Sequence, residues 1–152
     1  MPARRVSARH RRRGEIERLP RLFAVQPANC APLCASFASG AEDYMPIEAL
    51  PTIAEGTAIA KPVRTREVLA AIRRFGAAVS VAEEEIVEAM NDLATSGLYV
   101  EPTSASAAAA LGGLLRRGVI RPDETTVVVL TGAGLKATER IGELMGVLPT
   151  SA

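Results

Sequence analysis

Two hydrophobic rhythms alternate along this chain. Short apolar runs bounded by glycine, proline or polar residues read as strands: Leu22-Phe23-Ala24-Val25-Gln26 closed by Pro27, then Ala77 to Val81, Leu98-Tyr99-Val100, and Thr125 to Leu130. Between them, spacings of three and four predict helices. Asn29 is placed to cap one that runs to about Ser39 and stops at Gly40. Val68, Leu69, Ile72 and Phe75 share a face, with Gly76 as the stop. Ile86, Val87, Met90 and Leu93 share another, opened by Glu83-Glu84-Glu85, whose charges suit a helix amino terminus. An alanine-rich helix, Ala105 to Arg117, and a last helical pattern from Lys136 to Gly146 complete the set. The run from Thr125 to Leu130 is apolar at nearly every position, so it is expected to be covered on both faces, as parallel strands are. Strands alternating with helices imply an α/β fold: an open three-layer parallel sheet with flanking helices.

Composition and charge narrow the possibilities. With 152 residues and 48% apolar content the chain can bury a core. No apolar run is long enough to span a bilayer, and the basic start leads into more arginine instead of an apolar segment, so neither a membrane span nor a secretory signal is expected and a cytoplasmic setting is. The net charge of +1 hides an asymmetry: residues 1–21 carry eight arginines against Glu15 and Glu17, a net of +6, and the remainder carries −5. Residues 1–20 therefore read as a basic arm, disordered or helical, and residues 21–152 as the α/β body. The arm has no aromatic residue to stack on bases, so a nucleic-acid partner is not expected.

The usual catalytic sets are missing. No glycine fingerprint follows the first strand, there is no P-loop, and no serine or cysteine has a histidine partner, because the one histidine, His10, lies in the arm. Cys30 and Cys34 with that single histidine do not make a zinc site. No catalytic residue and no metal ligand is assigned. What remains is the end of the last predicted strand, Leu130-Thr131-Gly132-Ala133-Gly134, which sets a hydroxyl and backbone N–H groups where open α/β sheets bind ligands.

Four segments carry a resemblance: Thr52-Ile53-Ala54-Glu55-Gly56, Lys61-Pro62-Val63-Arg64, Val100-Glu101-Pro102-Thr103-Ser104-Ala105, and Val128-Val129-Leu130-Thr131-Gly132-Ala133-Gly134-Leu135-Lys136. In this order they resemble the carboxyl-terminal part of the threonine synthases, of the tryptophan-synthase-β-like, fold-type-II pyridoxal-phosphate enzymes, from about Gly14 to about Lys136. The resemblance implies that the body is part of a fold-type-II domain and that the cofactor is pyridoxal 5'-phosphate. It implies that Thr131 hydrogen-bonds the pyridine nitrogen, with Gly132 beside it, and that Glu101 and Glu55 lie near the cleft. A hydroxyl partner does not hold that nitrogen protonated, which moderates the electron sink and suits β- and γ-replacement.

The resemblance also implies what lies elsewhere in such enzymes. Their Schiff-base lysine, phosphate cradle and ring-stacking loop precede the segment matched here. The two lysines of this chain, Lys61 and Lys136, fall in other motifs. The expectation is a carboxyl-terminal part of a lyase that converts O-phosphohomoserine to threonine, inactive alone, taking a small amino-acid substrate and partnered by a missing amino-terminal half or by further copies of itself. The alternative is a non-catalytic interaction or regulatory module that uses the basic arm.

Overall fold

Strands β1 (Leu22–Pro27) and β2 (Gly76–Val81) pair in parallel, from Leu22 opposite Gly76 to Pro27 opposite Val81. They belong to a computed structural model that describes residues 2–149. Parallel neighbours cannot be joined by a tight turn. The crossover carries α2 (Pro32–Ser39), a long irregular segment, and α3 (Thr65–Phe75). Beyond β2 lie α4 (Glu83–Thr95), α5 (Pro102–Arg116) and α6 (Thr138–Leu144). Ahead of β1, α1 spans Pro2–Arg12, and its far end is tied down by His10 and Arg13, which both reach the Glu15 carboxylate.

Strand alternation sets the layers. Phe23 and Val25 of β1 and Val79 and Val81 of β2 join one apolar cluster with Ile86 and Met90 of α4 and Ala105, Ala109 and Leu114 of α5. Gln26 points to the other side, where α2 and α3 pack and where Leu69 and Ile72 are fully buried. Helices thus cover both faces of a parallel sheet, as the alternation of elements predicts. The alanines of α5 let it approach the sheet closely.

Two helix ends follow local chemistry closely, and the start of α2 does not. Glu85 Oε2 accepts the Ala82 N–H at 2.9 Å and closes the start of α4. Gly40, at φ +78, ends α2 by donating its N–H to Phe37 O at 3.3 Å. Asn29 does not cap α2, since its Nδ2 donates to Pro51 O at 2.6 Å. The cap comes from the strand: Gln26 Oε1 accepts from Leu33 N at 2.8 Å and Cys34 N at 3.2 Å. Ala31, the residue at the cap position, has no side chain that could do this.

Two predicted strands are corrected. Of Leu98-Tyr99-Val100, only Val100 makes a bridge, antiparallel to Ala133. The Thr125–Leu130 run forms no ladder among the described residues, and it is not covered on both faces. Val128 and Leu130 turn inward, whereas Val127 is 82% and Val129 67% exposed. β-branched composition makes a segment fit for a sheet, but a strand exists only where a neighbour accepts its hydrogen bonds. β1 and β2 pair with each other, and no described strand lies beside this run. Its start is nonetheless fixed. Glu124 accepts the Arg121 N–H at 3.0 Å and pairs with Arg21, which also donates to Val119 O at 2.7 Å. The Arg121 N–H, with the charges of Arg21 and Arg121, holds the Glu124 carboxyl below the usual range.

The cysteines are packing residues. Cys30 is 1% exposed, and burial pushes the Cys34 thiol up from 9.0 to about 11. At pH 8 Cys34 should therefore carry about a hundredfold less thiolate than a free cysteine. Iodoacetamide labelling followed by mass spectrometry should show correspondingly slow modification, accelerating to the free-thiol rate once the chain is unfolded in urea. The native thiol holds its proton more tightly than the unfolded one. That contribution to stability is complete below pH 9 and fades as pH rises toward about 11.

Candidate functional site

Three segments distant in sequence meet at the amino-terminal end of α5. The first is the turn into the helix: Glu101 stands at the cap position and Pro102 opens the first turn, where its missing N–H costs nothing. Thr103 and Ser104 follow, one on each side of the junction.

Thr103 faces the second segment, the 3-10 turn Glu55–Thr57. Its Oγ1 accepts the Gly56 N–H at 3.1 Å, and a Cβ at Gly56 would press on the same hydroxyl at 2.9 Å. Gly56 is therefore a position of close approach. Ala54, fully buried, fixes this turn to the core. The segment is also anchored from behind: Glu83 Oε2 accepts from Ile53 N at 2.7 Å and from Thr52 Oγ1 at 3.1 Å.

Ser104 faces the third segment, Thr131–Gly134. It is 1% exposed, and its Oγ accepts the Gly132 N–H at 2.8 Å. The same hydroxyl lies 3.2 Å from Gly132 O and 3.4 Å from Thr131 Oγ1. Glu101 N donates to Gly132 O at 3.2 Å, and Gly134 N donates to Tyr99 O at 3.0 Å, so the two stretches of backbone are stitched together. Gly132 and Gly134 are positions of close approach: a Cβ at Gly132 would run into the end of the Glu101 side chain, and one at Gly134 would lie 2.8 Å from Tyr99 Cε1 and from Ile141 Cδ1.

All four residues singled out from sequence, Glu55, Glu101, Thr131 and Gly132, thus belong to one junction. Thr131 and Glu55 are exposed, and Glu101 and Gly132 are half-buried. The arrangement presents neutral hydroxyls on a rigid backbone, flanked by two carboxylates. Three contributors were missed by sequence reasoning: Ser104, Thr103 and Glu83. Ser104 had a readable signal, because it is a hydroxyl in the first turn of a helix whose buried face is mostly alanine. Thr103 and Glu83 act through tertiary contacts that no spacing announces. Lys61 lies at 5.7 Å from the Tyr44 ring centroid, an exposed cation–π pair away from this junction's hydrogen bonds. Among the described residues no cluster of His, Cys, Asp or Glu could hold a metal ion, and no helix is long and apolar enough to cross a membrane.

Comparison with known proteins shows which sequences and folds the chain is similar to. Residues 6–132 match the family described as pyridoxal-phosphate dependent enzyme, and the match begins inside the arginine-rich arm, ahead of Gly14. The chain is 41% identical over 125 residues to the threonine synthase of Methanocaldococcus jannaschii, covering 81% of this chain and 31% of that protein. Among solved structures it is similar to threonine synthase from Escherichia coli (TM-score 0.68, 20% identity, 88% of this chain and 31% of that one). It is also similar to a T.th. threonine deaminase (TM-score 0.57, 25% identity, 79% of this chain and 41% of that one). The chain spans about a third of the length of the curated relatives it matches.

Proposed function

This chain belongs to the pyridoxal-phosphate dependent enzyme family, and we propose that it forms the ring-nitrogen wall of a threonine-synthase-type active site. The observation that carries this reading is the convergence of Glu55–Gly56, Glu101–Ser104 and Thr131–Gly132 on the start of α5.

The residues fit the ring edge of pyridoxal phosphate. A pyridine nitrogen is a single acceptor in a flat ring, and Thr131 offers a single exposed hydroxyl. Ser104 sits 3.4 Å behind it and is itself fixed by the Gly132 N–H, so Thr131 is oriented by a buried partner. The bare Cα of Gly132 keeps the wall flat. Among the described residues no arginine or lysine hydrogen-bonds to Thr131, and a neutral hydroxyl leaves the ring nitrogen unprotonated. When bound, the cofactor supplies an electron sink for an amino-acid substrate. Thr131 moderates it, and Glu101 and Glu55 line the rim on which the substrate's ammonium group would approach. The substrate class we assign is a phosphorylated four-carbon amino acid, O-phosphohomoserine, converted to threonine by replacement. Neither Lys61 nor Lys136 serves as the covalent anchor, so these 152 residues are catalytically inactive by themselves and act together with a segment that carries the anchoring lysine and the phosphate cradle.

Titration of the full chain with pyridoxal phosphate, followed by amide NMR, tests the reading. Shifts should localise to Gly56, Ser104 and Gly132. Thr131→Val should weaken that binding by about tenfold while changing unfolding free energy by less than about 0.5 kcal/mol, as for a surface substitution. Shifts confined to other residues would overturn the assignment. Borohydride reduction and peptide mapping should find no adduct on Lys61 or Lys136, and a specific adduct on either would refute the claim that neither is an anchor.

A further inference from the structure

A second recess lies on the far side of the Thr52–Ala54 segment, away from the junction at α5. Ile53, Val87 and Leu144 line it together with Glu83, Glu84 and Glu88, and it is an open hollow of about 360 Å³. Glu83 spends only one of its oxygens on the fold: Oε2 takes Ile53 N and Thr52 Oγ1, while Oε1 is buried without a hydrogen-bond partner. That oxygen is shielded from solvent, so the carboxylates that the recess presents outward are those of Glu84 and Glu88, both exposed.

The shape and chemistry of the recess specify its occupant. Its aliphatic lining suits a methylene stem, and its carboxylates suit a charged head; together they suit a long basic side chain. Two exposed carboxylates one helical turn apart, Glu84 and Glu88, favour the several N–H donors of a guanidinium over the compact charge of an ammonium.

The chain itself carries such side chains. Arg9, Arg11 and Arg12 on α1 are exposed, and none of them pairs with an acid among the described residues. Within its own chain α1 lies elsewhere, where Ser7 meets Leu19, Pro20, Leu22 and Phe75. The sequence itself is asymmetric in charge, +6 over residues 1–21 and −5 over the rest. We propose that the recess beside Val87 and Leu144 receives arginine side chains from α1 of a second copy of this chain. Each copy offers one basic arm and one acidic recess, so the contact is self-complementary and can be made twice in a symmetric pair. The inference stands independently of the cofactor reading.

Sedimentation velocity of the full chain tests it. Association should be present at about 10 mM salt and lost at about 1 M, where the screening length falls from about 30 Å to about 3 Å. Two surface variants reverse one side each: Glu84→Arg/Glu88→Arg, and Arg9→Glu/Arg11→Glu/Arg12→Glu. Each alone should weaken self-association by about tenfold or more at low salt. An equimolar mixture should restore it, because the reversed recess of one variant then meets the reversed arm of the other. A wild-type chain that stays monomeric at low salt would overturn the proposal. So would a variant pair that fails to associate when mixed, or association unchanged by either reversal, which would place the contact elsewhere, as on the exposed Val127 and Val129.

Discussion

Gly76→Ala should lower the unfolding free energy by about 3 kcal/mol or more, the largest loss expected from a single methyl group in this chain. Gly76 opens β2 opposite Leu22. A Cβ there would land on the Leu22 carbonyl oxygen and within 2.7 Å of Leu22 N. These are backbone atoms, so no rotamer change relieves the clash, and β2 would have to slide or part from β1. The β1–β2 ladder is the whole of the described sheet, and both α/β layers hang on it. At Gly132, by contrast, the obstructing group is the end of the flexible Glu101 side chain, which can swing aside. Urea denaturation should show the midpoint of Gly76→Ala fall with little change in slope. A loss below about 1 kcal/mol would mean that the first pair of the ladder gives way cheaply.

Gly76 also shows what kind of information the sequence carries. Read in sequence it is a helix stop after Phe75, and α3 does end there. Its second role, admitting the backbone of β1, depends on pairing and has no local trace. The same division runs through the molecule. The faces of α3 and α4 and the stop at Gly40 are legible, since their causes lie within a few residues. The cap of α2 is not legible, because Asn29 satisfies the local rule while the donor groups are met by Gln26 from the strand. Thr125–Leu130 has the composition of a buried strand, but whether a strand is paired depends on a neighbour, and here Val127 and Val129 face solvent.

The candidate site divides in the same way. Glu55, Glu101, Thr131 and Gly132 were readable because they sit in motifs with a recognisable order. That Gly56 meets Thr103, and that Ser104 meets Gly132, is a property of how α5 packs between them. Motif order identifies the parts, and the buried hydroxyl at position 104 determines how firmly two of them are joined.

Ser104→Ala should therefore cost about 1–3 kcal/mol, the penalty for leaving a buried donor without its partner. The hydroxyl has three neighbours, and their distances rank them: Gly132 N at 2.8 Å, Gly132 O at 3.2 Å and Thr131 Oγ1 at 3.4 Å. The bond from the backbone N–H is the strong one. Most of the loss should be independent of Thr131, so Ser104→Ala should cost nearly as much in a Thr131→Val background, with a coupling energy below about 0.5 kcal/mol. Hydrogen exchange separates the fold from the site. Without Ser104 the Gly132 amide should exchange faster by a factor larger than global destabilisation explains, while amides of α3, on the other face of the sheet, slow or quicken only with global stability. A large coupling between the two sites would shift the weight to the hydroxyl–hydroxyl contact. Equal acceleration at Gly132 and α3 would mean that Ser104 supports the whole fold and not the Thr131–Gly132 wall in particular.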